Sequence, residues 1–78
     1  MMELLQWERG GFMSVTNKLK DIREEHGIYQ KDLADATGFS VRTISRIERC
    51  EQPPSGEFML RIAHYFNLLV EDVFEIKD

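Results

Sequence analysis

The chain has 78 residues, with 10 Lys and Arg against 14 Asp and Glu for a formal charge of −4; it has room for one small domain and is not a generally basic nucleic-acid coat. A single core of this size is only marginally stabilising unless its helices pack well or the chain self-associates. The lone Cys50 excludes an internal disulfide framework, and without a long apolar run or a signal-peptide start the expected location is the cytoplasm.

Residues 1–15 read as an N-terminal extension, expected to be partly disordered, because Gly10-Gly11 separates Leu4, Leu5 and Trp7 from the first helical pattern. They are a leader upstream of Met13, a remnant of cloning, or an amphipathic arm. The domain proper is expected over 16–78. Leu19 and Ile22 mark the apolar stripe of a first helix, capped by Thr16 or Asn17 and stopped near His26-Gly27. Arg23, one step round from Ile22, needs an acidic partner. Glu48 is the candidate, since a helical wheel places it beside Ile44 and away from Arg42 and Arg46.

From Gln30 to Arg49 the pattern is two short helices around Thr-Gly-Phe-Ser. Leu33 and Ala34 face inward on the first helix, Ile44 and Ile47 on the second. Gly38 suits a left-handed helix end and Ser40 can cap the next helix, which together make a helix-turn-helix signature. If that helix runs over 41–49, Arg42, Ser45, Arg46 and Arg49 share the outward face. An arginine fork can grip guanine O6 and N7 or a phosphate, and Val41 can meet a thymine methyl. Between Phe39 and Cys50 three arginines stand against Glu48 alone, so the stretch is positive within an acidic chain.

Pro53-Pro54 breaks the pattern, and Ser55 caps a fourth helix with Phe58, Met59, Ile62, Ala63 and Phe66 inside and Asn67 at its end. A short fifth helix or extended tail follows over 71–75. Leu68, Val73 and Phe74 are expected in the core, and 73–76 is the one stretch with a hint of strand. Leu69, Val70, Phe74 and Ile76 form an apolar surplus that a homodimer interface would cover.

Over about 17–74 the sequence resembles the phage-repressor-like (Cro/cI, XRE-type) helix-turn-helix domains. The resemblance rests on Leu19-Lys20-Asp21-Ile22-Arg23, Gln30-Lys31-Asp32-Leu33-Ala34, Gly38-Phe39-Ser40, Thr43-Ile44-Ser45-Arg46-Ile47-Glu48, Pro54-Ser55 and Ile62-Ala63 with Phe66. It implies an all-α, five-helix, lambda-repressor-like fold whose third helix enters the major groove, usually in a dimer on a two-fold-related operator. By the same resemblance Gln30 binds a phosphate and steadies the third helix, Ser40 caps it and touches the backbone, and Val41, Arg42 and Arg46 read bases. Thr43 and Arg49 lie near the sugar-phosphate, and Arg23 and Glu48 form a structural ion pair. Three positions depart from the family pattern: Tyr29 and Leu69 replace capping Ser or Thr, and Cys50 replaces the glycine that reverses the chain after the third helix.

The leading expectation is a sequence-specific transcriptional regulator, of repressor type and of prokaryotic or phage origin, that binds double-stranded DNA as a homodimer and answers to concentration or a protein regulator. The rival, favoured by the acidic balance, is a protein-interaction module of the same fold, such as an antirepressor or antitoxin. No catalytic constellation, metal-ligand cluster or cofactor motif is visible in the sequence, so neither an enzyme nor a cofactor is expected.

Overall fold

Apolar spacing sets the helices, and the four longer ones each end near a residue in the left-handed conformation. In a computed structural model that describes residues 14–77, strand β1 (Ser14–Asn17) is followed by α1 (Leu19–Glu25), α2 (Gln30–Thr37), α3 (Val41–Glu48), α4 (Gly56–Phe66), α5 (Val70–Val73) and strand β2 (Phe74–Lys77). The five helices follow the expected order. Apart from Ser14 and Val15, the N-terminal extension lies outside the described residues, so its reading as leader, remnant or arm is not addressed. Strand β1 takes in both of those residues.

The core is built from Leu19, Leu33, Ala34, Ile44, Ile47, Phe58, Ile62, Phe66, Val73 and Phe74, with Val15, Ile22, Ile28, Phe39, Met59 and Val70 packed against it. Phe58 lies at its centre, edge-on to Phe39 at 5.0 Å and to Phe74 at 6.3 Å between ring centroids. Such edge-to-face packing adds about 0.5–1.5 kcal/mol per pair beyond simple burial. The buried hydroxyl of Thr37 donates to the Leu33 carbonyl at 2.7 Å, so α2 brings it inside without an unmet polar group.

Two expectations change at the C-terminus. Leu68 stays 37% exposed, because Asn67 in the left-handed conformation turns the chain before it can reach the core. Phe74 is only 5% exposed: its ring is consumed by packing on Phe58, so it is core rather than free interface surface. The tail is a short helix and then a strand, with β2 antiparallel to β1 and Val15 opposite Ile76, Thr16 opposite Glu75. A two-stranded ribbon is marginal by itself. Here Val15 and Phe74 fasten it to the helices.

Helix starts use what the sequence offers. Ser40 and Ser55 each accept the N–H three residues on, from Thr43 at 3.1 Å and Phe58 at 3.0 Å. Where Tyr29 and Leu69 replace a capping hydroxyl, the acid three residues later supplies half of a capping box. Asp32 accepts the Tyr29 N–H and Asp72 the Leu69 N–H, both at 2.9 Å. At the start of α1, Asn17 Oδ1 accepts the Leu19 N–H at 3.1 Å, whereas Thr16 is spent in the strand.

Helix ends are more telling. The left-handed position that follows α1 is Gly27 and that after α2 is Gly38, but after α3 and α4 it falls to Cys50 and Asn67, each at φ 59°. Cys50 keeps the reversal that glycine would make: its N–H bonds the Ile47 carbonyl at 2.9 Å, and the Glu51 N–H bonds that of Arg46 at 2.8 Å. The left-handed conformation costs a non-glycine residue about 1–2 kcal/mol. Cys50→Gly is therefore expected to stabilise the domain by about 1 kcal/mol after the added unfolded-state entropy, raising the thermal midpoint by roughly 4–8 °C. Cys50→Ala, which removes the thiol but keeps the strain, should show no comparable gain in the same melting experiment.

Candidate nucleic-acid interface

The orientation of α3 is fixed by one carboxylate. Glu48, at the last turn of α3, accepts Nε of Arg23 at 2.8 Å and Nη2 at 3.2 Å, and also the amide Nε2 of Gln30 at 3.0 Å. The remaining Arg23 nitrogen, Nη1, donates to the Ile28 carbonyl at 3.1 Å. The two charged side chains are 10% and 3% exposed, so this is a buried pair with its hydrogen-bonding capacity used on both sides. The bond to Glu48 raises the Arg23 pKa above the ordinary arginine value against the opposing effect of burial, with attraction from Glu48 and Glu24 adding to it.

With Ile44 and Ile47 buried and Glu48 tied inward, the rest of α3 faces out. Val41 and Arg42 are exposed, Thr43, Ser45 and Arg46 are half-buried, and Arg49 beyond the helix end is exposed. The outward arginines therefore lie along one side of the helix. Among the described residues neither Arg42 nor Arg46 has a carboxylate within ion-pair distance, whereas Arg49 meets Glu51 at 3.1 Å on the open surface. Arg42 and Arg46 are thus available cations, and the charge of Arg49 is partly offset.

The entrance to α3 is built for close approach. Gly38, at φ 84°, ends α2, and its N–H bonds the Ala34 carbonyl. Ser40 accepts the Thr43 N–H and donates its own proton to Thr43 Oγ1 at 3.0 Å. That arrangement leaves the Thr43 hydroxyl with its proton to give. Gln30 sits at the first turn of α2 with its amide nitrogen on Glu48, so its side chain braces α3.

Two supporting residues were not singled out from sequence. Arg61 on α4 donates Nη1 to the Thr37 carbonyl at 3.1 Å while Nη2 holds Glu57 at 2.8 Å, so it caps the end of α2 just before the turn. Asn17 in β1 donates Nδ2 to the Ile47 carbonyl at 2.8 Å, fastening the ribbon to the far end of α3. Arg61 carries a weak signal, an i, i+4 acid that reads as solvated surface; Asn17 was read only as a cap. Of the apolar surplus, Leu69 and Ile76 are 63% and 62% exposed and Val70 is half-buried. Among the described residues no cluster of His, Cys, Asp or Glu could hold a metal ion, and no helix is long and apolar enough to cross a membrane.

The sequence profile of the helix-turn-helix family matches residues 19–73. A helix-turn-helix-type transcriptional regulator of Methanocaldococcus jannaschii is 40% identical over 62 residues, covering 80% of this chain and 94% of that protein. A regulator of the same type from Bacillus subtilis is 32% identical over 62 residues with the same coverage, and one from Deinococcus deserti is 33% identical over 63 residues, which span 49% of its length. A crystal structure of a Bacteroides fragilis protein superposes with a TM-score of 0.70 at 24% identity, covering 78% of this chain and 98% of the other. That last likeness speaks for the fold alone.

Removing the carboxylate tests the anchoring role directly. Glu48→Ala leaves Arg23 buried without its counter-charge, so it should cost about 3–5 kcal/mol in urea unfolding. A loss below about 1 kcal/mol would show that the pair is solvated rather than buried.

Proposed function

This chain belongs to the helix-turn-helix family, and we propose that it is a sequence-specific DNA-binding transcriptional regulator of prokaryotic origin, acting in the cytoplasm as a repressor. In this reading a homodimer places two copies of α3 in successive major grooves of a two-fold-related operator. The observation that carries it is the pair of cations Arg42 and Arg46, without an acidic partner among the described residues, on the outward side of a helix whose inward side is locked by Ile44, Ile47 and Glu48.

Val41, Arg42, Ser45 and Arg46 face base edges, and Ser40, Thr43, Gln30 and Arg49 meet the sugar-phosphate. Arg suits the base-reading positions because its planar fork matches guanine O6 and N7, an arrangement worth about 1–3 kcal/mol of discrimination per base. The Thr43 hydroxyl and the first-turn N–H groups of α3 are donors suited to a phosphate oxygen. Relatives named as transcriptional regulators in archaea and bacteria support the regulatory role and the origin. The family is one of regulators rather than enzymes.

The net charge of −4 favours a second reading, a protein-interaction module of the same fold, bound by a protein regulator. The two readings part at the arginines. After selection of a binding sequence from random duplexes, Arg42→Ala and Arg46→Ala should each weaken the gel shift by roughly 5- to 150-fold and relax preference at one base position. Arg49→Ala should weaken binding less and evenly across sequences, reducing the salt slope by about one unit. Unchanged binding in both the Arg42 and Arg46 variants would overturn the DNA assignment.

A further inference from the structure

Carbonyls in the last turn of a helix have no partner four residues on, and the turn that follows must supply others. At the end of α3 the Glu51 N–H closes on the Arg46 carbonyl at 2.8 Å and the Cys50 N–H on the Ile47 carbonyl at 2.9 Å. Both bonds go with Cys50 at φ 59°, a conformation in which a Cβ crowds the backbone. The turn that carries Arg46 and Arg49 is therefore held closed against local strain. One side chain from outside the helix-turn-helix reaches it. Asn17, half-buried at the end of β1, donates Nδ2 to the Ile47 carbonyl at 2.8 Å, across 30 positions of sequence. The same nitrogen lies 4.0 Å from Cys50 Sγ. The other amide atom is committed elsewhere, since Oδ1 accepts the Leu19 N–H at 3.1 Å. An N–H on one side and a carbonyl on the other fix which way round the amide sits.

We propose that Asn17 is a positioning residue for base reading: its amide holds the Cys50 turn closed and so sets where α3 presents Arg46. The inference rests on the DNA-binding reading above, in which Arg46 meets a base edge, and gives a part in it to a residue outside the reading helix. Glycine makes such a reversal freely, whereas cysteine makes it at a cost that a neighbouring hydrogen bond can offset. Asn17 is placed to do so, because its donor lands on the carbonyl that the Cys50 N–H also uses. An acceptor alone would serve the start of α1, and serine or aspartate supplies one; the donor that asparagine adds serves α3. The two ends of the reading helix are then set by different residues. Ser40 accepts the Thr43 N–H at the entrance and governs Arg42. Asn17 acts at the exit and governs Arg46, one turn further along. Glu48 fixes the rotation of α3 through its side chain, and Asn17 fixes the main chain of the last turn.

The test is a set of double-mutant cycles on the full chain, read by gel shift against the selected duplex. Asn17→Ser keeps an acceptor for the Leu19 N–H and ends one bond short of the amide nitrogen. Asn17→Asp keeps the acceptor and turns a second one toward the Ile47 carbonyl. In either background Arg46→Ala should cost at least about threefold less than in the parent, whereas Arg42→Ala should cost the same to within about twofold. The added charge of the aspartate variant weakens binding to every duplex, an effect that cancels in the ratio between the two arginine variants. With Cys50→Gly added, the turn closes unaided, and Asn17→Ser should regain the parent's Arg46 dependence to within about twofold. Amide hydrogen exchange reads the turn without DNA: the Cys50 and Glu51 N–H groups should exchange faster in Asn17→Ser, and that of Ile44 at the parent's rate. Circular dichroism checks folding, and the serine and aspartate variants each decide the matter if the other is unfolded. Arg46 factors that match the parent's in both variants, or a coupling that survives Cys50→Gly, overturn the positioning role. Failure of the DNA reading itself is seen separately, as Arg42→Ala and Arg46→Ala variants that bind like the parent with Asn17 in place, and it takes the proposal with it.

Discussion

The Glu48 carboxylate is the point on which the arrangement of the first three helices depends. It gathers the Arg23 guanidinium from α1 and the Gln30 amide from α2, while Arg23 also holds the Ile28 carbonyl in the loop between them. A buried ion pair is a poor source of net stability, because desolvating both groups offsets most of their attraction. Its value is directional. An eight-residue helix such as α3 is too short to persist alone, and two buried isoleucines permit some rotation about the axis. A bidentate pair at its last turn permits little, because a turned helix would strand a buried charge. The rotational setting that hides Glu48 is the one that turns Arg42 and Arg46 outward.

A second chain of contacts extends from the far end of α3. The Ile47 carbonyl, which the helix itself leaves partly unused, accepts the Asn17 amide from β1 at 2.8 Å. β1 is in register with β2, and β2 is anchored by Phe74 on Phe58. The ribbon and the exposed helix are thus linked through hydrogen bonds and one aromatic contact, and the turn that follows α3 is made by Cys50 in a left-handed conformation that costs a non-glycine residue. In the proposed reading this link matters, because half-site spacing is a geometric property of a whole assembly rather than of the reading helix.

Much of this was legible from local pattern. The spacing of Leu33, Ile44, Ile47, Phe58 and Ile62, the caps at Ser40 and Ser55, and the left-handed ends at Gly38 and Asn67 each follow from forces that act within a turn or two of helix. Arg23 and Glu48 were legible across 25 positions because both stand beside buried residues on their wheels, where an ionised side chain needs a counter-charge. The substitute caps at Asp32 and Asp72 carried a signal in the three-residue spacing that attention to Tyr29 and Leu69 obscured. β1 was not legible. Ser-Val-Thr-Asn is too short to show alternation, and its pairing with β2 depends on residues some 60 positions away. Phe74 carried two readings, core and surplus, because its place on Phe58 exists only once the ribbon has closed. Arg61 looks like a solvated helix residue until α4 is laid against the end of α2.

The acidic character of the chain then acquires a physical role. For a protein with many phosphate contacts, counterion release gives affinity for any duplex, and a net positive surface trades discrimination for adhesion. Here Arg42 and Arg46 stand on one side of α3, whereas Glu71, Asp72 and Glu75 belong to α5 and β2. The overall charge of −4 opposes a duplex at long range, and one approaching α3 meets Arg42 and Arg46 without acidic partners among the described residues. Non-specific binding falls by the long-range term, while the short-range hydrogen bonds to base edges are untouched by it. The ratio between specific and non-specific binding, which governs occupancy of one operator among a genome of competitors, therefore rises as the rest of the surface becomes more acidic.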